Sequence, residues 1–199
     1  GGSCSQLLRT GTAEAPAPYL FAELTDRFDR WYRPLGGGVG ADGNLYVFVA
    51  ELHERGSGYL AHTEPVATRL VSIELEHYTV VDAQLAPNPS SDLYGWSVVS
   101  HGDHSYLDAH CYRQFGWDPF PFADPPFRAH DRSCGPEVTV ARVPVAEFGA
   151  TPEYWTGSKW TADPEQAAPV IPSEGRSVNP TQVLMHGGRF VAVTRVGDW

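Results

Sequence analysis

The sequence is short of charge, and of positive charge above all. Only 19% of its 199 residues are charged, and 14 Lys and Arg stand against 24 Asp and Glu, for a formal net charge of −10. No long basic stripe occurs. General nucleic-acid binding, which needs clustered Lys and Arg against phosphate, is therefore not expected. Long apolar runs are missing too, and no segment reaches the roughly 20 residues that a membrane-spanning helix needs. There is no Gly-x-Ser-x-Gly elbow, phosphate loop or dinucleotide fingerprint. Esterase, kinase and dehydrogenase chemistry have no support, and no cofactor is implied. Cysteine is scarce, with Cys4, Cys111 and Cys134 alone. An odd number permits one bridge and one leftover thiol. Cys111 and Cys134 flank one long insertion and are the pair to test, against the alternative of three buried thiols. An initiator Met and a signal peptide are absent as well. The chain opens Gly1-Gly2-Ser3-Cys4 and stops at Asp198-Trp199, and Ser5 to Thr10 reads as the tail of a strand whose partner is missing. The expectation is a fragment of a longer protein.

What is present is turn chemistry and aromatics: 20 Gly, 17 Pro and 12% aromatic residues. That mixture suits a turn-rich β protein and argues against a helical bundle or a disordered tail. The length suits a single domain. Three stretches repeat one pattern of apolar run, tight polar turn and apolar run. The first turns at Gly40-Ala41-Asp42-Gly43-Asn44 before Leu45-Tyr46-Val47-Phe48-Val49. The second runs Trp96-Ser97-Val98-Val99, turns over Ser100 to His104, and continues Ser105-Tyr106-Leu107. The third runs Gln182 to Met185, turns at His186-Gly187-Gly188-Arg189, and continues Phe190 to Val193. Each is a β-hairpin signal, because Asp-Gly, Gly-Asp and Gly-Gly supply the positive φ that such turns demand.

Further strands are expected after the first two hairpins. Thr68 to Leu75 alternates polar and apolar, His77 to Val81 follows, and Glu137 to Val143 takes the equivalent place in the second unit. Glu153-Tyr154-Trp155 and Lys159-Trp160 make a small outer ribbon around Thr156-Gly157-Ser158. Asp163 and Pro164 begin one helical turn. Ala13 to Pro18 is a connector, too rich in proline for a helix or central strand. A hairpin recurring at domain-scale intervals points to an all-β fold built as an incomplete β-propeller. Its single partial domain, 1–199, divides into a blade remnant at 1–18, blades over about 19–92 and 93–176, and a partial blade at 177–199.

That architecture sorts the residues. The start of a hairpin's first strand and the end of its second lie at one edge, with the turn at the other. Strand starts place Trp31, Arg33, Tyr94, Trp96, Asn179 and Gln182 at the ligand edge, and strand ends add Glu51, His53, His110, Tyr112, Asp198 and Trp199. Asp42, Asp103 and His186 fall on the far rim. The cluster His101, Asp103, His104, Asp108, His110 and Cys111 has the residue types of a metal site. Its spacing counts against one, since His110 lies about 20 Å along the strand from the turn. No metal is expected. The tryptophans offer flat faces for a sugar or ordinary packing between blades. Asn179, before Pro180, either caps a bend or binds a hydroxyl. Glycoside hydrolysis needs two carboxyl groups, and Glu51, Asp92 and Asp198 are the ligand-edge carboxylates, none of them in an identifying motif.

Several phrases together resemble one family. Trp31-Tyr32-Arg33-Pro34-Leu35-Gly36-Gly37, Gly43 to Phe48, Tyr94 to Val99, Glu153 to Trp160 and Asn179-Pro180-Thr181-Gln182-Val183 are similar, in order, to secreted bacterial five-bladed propellers. That family, long a domain of unknown function, includes endo-D-arabinanases. The resemblance implies a secreted or cell-surface glycoside hydrolase acting on arabinan or a related cell-envelope glycan. On this reading Trp31, Arg33, Trp96, Asn179, Gln182 and His110 bind sugar, and Asp198 is the catalytic or supporting carboxylate. Family members begin with an earlier blade bearing a Gly-Asp motif on its inner strand, and this chain begins after it. The fragment alone is then expected to be inactive. The rival readings are a non-catalytic carbohydrate-binding propeller and a purely structural one.

Overall fold

The computed structural model describes residues 10–11, 16–17, 30–55, 62–87, 93–110, 138–171 and 178–196. Among them every regular element is a strand except one 3-10 turn at Pro164–Gln166, so the chain is all-β. A short ribbon pairs β1 (Thr10–Gly11) with β2 (Pro16–Ala17). Thr10 thus has a local partner where the sequence suggested a missing one, and the Pro-rich connector supplies it. Proline is tolerated there because a two-stranded ribbon has no central strand. Ser5 to Arg9 lie outside the described residues, as do Cys4, Cys111, Cys134 and the insertion over 115–135.

Three antiparallel sheets follow. The first holds β3 (Arg30–Val39), β4 (Leu45–Arg55), β5 (His62–Glu74) and β6 (Thr79–Leu85), side by side in chain order. The second holds β7 (Leu93–His101), β8 (His104–His110), β9 (Val138–Pro144), β10 (Glu153–Trp155) and β11 (Trp160–Thr161), again in chain order. β12 (Val178–His186) and β13 (Arg189–Val196) make the third. The three expected hairpins are all present. Their turn glycines carry positive φ, +85° at Gly43, +59° at Gly102 and +56° and +73° at Gly187 and Gly188, as tight hairpins require. At the first turn Asp42 accepts from the Asn44 N–H (3.1 Å), the Asn44 amide (2.8 Å) and the Tyr46 hydroxyl (3.0 Å). Those donors, the Asn44 N–H foremost, hold its carboxyl below the usual range.

Strand β6 starts later than the hydrophobic pattern suggests. His77 and Tyr78 belong to the preceding turn, where Tyr78 has φ +56°. The Glu74 carboxylate caps that turn by accepting from the N–H groups of Glu76 and His77. Glu74, Glu76 and His77 bring ligand-type atoms within 4.8 Å of one another, but these hydrogen bonds already account for the grouping. The 3-10 turn forms where Asp163 and Pro164 predict it, with Asp163 accepting from the Glu165 N–H at 3.1 Å.

The main core lies between the first two sheets. Phe48 and Leu70 on one side meet Leu107, Ala141, Val143 and Tyr154 on the other, with Phe148 wedged at the turn end. Phe48 and Phe148 pack edge to face at 6.3 Å. On β4 the consecutive residues Phe48, Val49 and Ala50 are all buried. That strand is covered on both faces, which is why its sequence is apolar without alternation.

The first strand of each hairpin lies beside the first strand of the next: β3 against β7, and β7 against β12. Gly36 permits the first approach, since a Cβ there would fall 2.8 Å from the Gly95 carbonyl oxygen. At the second, the Ser97 hydroxyl donates to the Val183 carbonyl (3.2 Å) and accepts from the Val183 N–H (3.1 Å). The turns gather at one end. Ala41 N–H reaches the Ala146 carbonyl (3.2 Å), Val145 N–H reaches that of Asp103 (2.9 Å), and the His101 and Phe190 rings lie 6.4 Å apart.

Candidate functional site

All three first strands carry a β-bulge, between Pro34 and Gly37, Tyr94 and Val98, and Pro180 and Gln182. Bulges bend a strand and re-aim its side chains. In β7 the bulge spans Gly95-Trp96-Ser97, and Gly95 takes φ +97°. Phe48 packs so close that a Cβ on Gly95 would lie 2.4 Å from its ring. The bulge thus turns Trp96 out of the register of β7. The half-buried indole packs with Leu35 against Ala50 and Leu93.

Arg33, one strand away, lays its guanidinium 5.0 Å from the Trp96 ring centroid. It is itself exposed. A cation over an indole face is attracted by about 0.5–1 kcal/mol at such a site, and the guanidinium brings five N–H donors to it. Across the next seam, Trp96 and Gln182 are the chain neighbours of the hydrogen-bonded pair Ser97 and Val183. Gln182 is exposed and pairs with Val193 across its hairpin. Three residues chosen from sequence thus sit on three consecutive first strands, and two of them touch.

The other expected site residues are placed by backbone alone. Trp31 pairs with Leu52 on β4, His110 with Leu93 at the start of β7, and Asn179 with Arg195 on β13. All three therefore lie at the ends of the hairpins remote from the turns. Their side chains, and Asp198, Asp92 and Tyr112 altogether, lie outside the described residues. His110 is at the opposite end of β8 from the His101–His104 pair, so the register keeps that would-be metal cluster apart.

Several aromatic candidates serve packing. Tyr94 is buried, its hydroxyl 3.0 Å from that of Thr139 and its ring edge to face with Tyr154 at 5.3 Å. Trp155 and Trp160 face each other at 5.2 Å on the outer ribbon. Arg142 covers Trp160 at 4.3 Å while its guanidinium pairs with Glu153 at 2.7 Å.

Two buried carboxylates change the picture drawn from sequence. Glu51 is 1% exposed and lies 2.6 Å from the Arg69 guanidinium, so it is a paired structural acid. Asp108 was grouped by sequence with turn histidines that its own strand carries away from it. It is 5% exposed, and its Oδ1 accepts from the Ser97 N–H at 2.8 Å, inside the β7 bulge. Its Oδ2 is buried with no hydrogen-bond partner among the described residues. Burial, outweighing the Ser97 bond, pushes its carboxyl up to about 7. The available signal was period-two alternation: Leu107 and Ala109 face the core, so Asp108 must face the neighbouring hairpin.

No protein-family model matches the sequence, and no curated protein matches it.

Proposed function

We propose that the chain is part of a carbohydrate-active β-propeller, with β3, β7 and β12 as innermost strands and a glycan bound along their starts. The observation that carries this reading is the Arg33 guanidinium stacked on Trp96 across the β3–β7 seam. An aromatic face with a fan of donors above it suits a ligand with apolar C–H faces and many hydroxyls. The exposed Gln182 amide on the next strand extends the same row. The resemblance to arabinanase-type propellers supports arabinan or a related cell-envelope glycan as ligand, in a secreted or cell-surface protein. Hydrolysis by the complete protein is the catalytic form of this proposal, with Asp198 as the carboxylate of this segment.

The test is calorimetric titration of arabinan oligosaccharides into this chain, with Trp96→Ala and Arg33→Ala alongside. Binding should weaken about tenfold or more in each variant, the equivalent of roughly 1.4 kcal/mol. Equal binding by all three proteins removes the seam from the site. No binding by the unaltered chain removes the glycan reading. For catalysis, the full-length parent should release oligosaccharides from arabinan, and binding without release leaves a carbohydrate-binding propeller.

A further inference from the structure

Asp108 has no place in the proposed site, and its surroundings are unusual for a carboxylate. It sits on β8, on the face turned toward β12 and β13, where Tyr106 meets Phe190 at 4.8 Å. One oxygen holds the N–H of Ser97, whose hydroxyl in turn holds both backbone groups of Val183. The chain of contacts runs from Asp108 through the β7 bulge to β12, and Trp96 is the residue beside that bulge bond. We propose that Asp108 is a positioning residue whose protonation closes the β7–β12 junction and so sets the pose of Trp96 against Arg33.

The physical reason is the stranded Oδ2. With the carboxyl protonated, the group is neutral and Oδ1 still accepts from Ser97. Once the proton leaves to solvent, a full charge sits in a buried interface with only the backbone N–H groups of Ser97 and Asp108 to offset it, which is costly. The cheapest relief is water entering at the β7–β12 junction, where side chain-to-backbone bonds, not a continuous strand ladder, hold the two strands together.

Among the described residues no nearby charge offers an alternative. On β7, Tyr94 bonds Thr139 on the core side and His101 is at the turn. On the Asp108 face of β8 stand Tyr106 and His104, and the His110 side chain is outside the described residues. β9 sets Val140 opposite, and Arg142 beyond it is held by Glu153. β12 has no ionisable residue before His186 at its turn, and β13 contributes Arg189 and Arg195 near its ends.

The direction follows from burial. A carboxyl near 7 in the folded chain, against about 3.9 unfolded, stabilises the fold more as pH falls from about 7 toward 4. Above 7 the buried charge weakens it. Asp108→Asn keeps the acceptor for Ser97 and removes the charge. It should melt higher than the parent at pH 8, with the gap narrowing by pH 5.

The decisive experiment is tryptophan fluorescence between pH 5 and 9. The parent should titrate with a midpoint near 7, Asp108→Asn should stay in the low-pH form throughout, and Trp96→Phe should lose the transition. An unchanged transition in Asp108→Asn, or its survival in Trp96→Phe, overturns the proposal. Should a variant fail to fold, hydrogen exchange on the parent alone decides. Protection of the Val183 amide, corrected for intrinsic pH dependence, should fall at least tenfold from pH 6 to pH 8, and equal protection overturns the proposal. The consequence for affinity rests on the glycan reading: arabinan oligosaccharides should bind more tightly at pH 6 than at pH 8. If Trp96 follows Asp108 while no glycan binds at either pH, the positioning role stands and the proposed function falls.

Discussion

Glu51 and Asp108 are both buried carboxylates, yet the chain treats them in opposite ways. Glu51 lies against Arg69, which keeps 23% of its own side chain in contact with solvent. The cation therefore retains part of its hydration while compensating a carboxylate that has almost none. Removing one partner of a buried ion pair costs about 3–5 kcal/mol. Arg69→Met should lower stability by an amount near the lower end of that range, read as a shift of the urea midpoint at pH 7. The double variant Glu51→Gln/Arg69→Met should recover much of the loss, since no buried charge is left behind. If the double variant is no more stable than Arg69→Met, the ion pair is not what Arg69 supplies. Sequence reasoning could rank Glu51 as an acid near a strand end. It could not see the pair, because Arg69 sits on another strand, opposite Val49, and reaches Glu51 diagonally.

At the scale of elements, the turns were the legible part and the bulges were not. Asp42-Gly43, Gly102-Asp103 and Gly187-Gly188 announce positive φ in the residues themselves, and each hairpin closes where those residues stand. The bulges near Leu35, Trp96 and Thr181 have no such local mark, because a bulge is set by what presses on the strand from outside. In β7 that is Phe48, a residue of the first sheet, against Gly95. Gly95→Ala tests this account. The new methyl group must displace a packed aromatic ring and also sit at φ +97°. Backbone strain of about 1–3 kcal/mol and overpacking of similar size predict a loss of at least about 2 kcal/mol in chemical denaturation. Near-UV circular dichroism should change as Phe48 and Trp96 shift. Gly102→Ala serves as the comparison, since it also has positive φ but open space at its Cβ, and it should cost less.

Across the whole molecule, what the sequence made visible was the succession of three similar units. How they meet was not visible, since sheet-to-sheet contacts join residues some tens of positions apart and carry no periodic signature. The described contacts are uneven. The first two sheets share a core of aromatic and aliphatic side chains, whereas the third hairpin leaves Phe190, Val191 and Val193 exposed and joins β7 partly through Ser97. Ser97 bonds both backbone groups of Val183, so its hydroxyl stands in for a missing ladder between β7 and β12. Replacing it by Ala leaves a half-buried N–H and C=O without that partner, and each unmet group costs about 1–3 kcal/mol. The loss should be local to one hinge line. In Ser97→Ala, amide exchange across 178–196 should quicken by about tenfold or more, while β4 and β5 keep the protection of the parent. Exchange that quickens equally in all three sheets would mean that the third hairpin is not a separately docked unit. Unchanged exchange would mean that apolar contacts such as Tyr106 with Phe190, rather than Ser97, hold it in place.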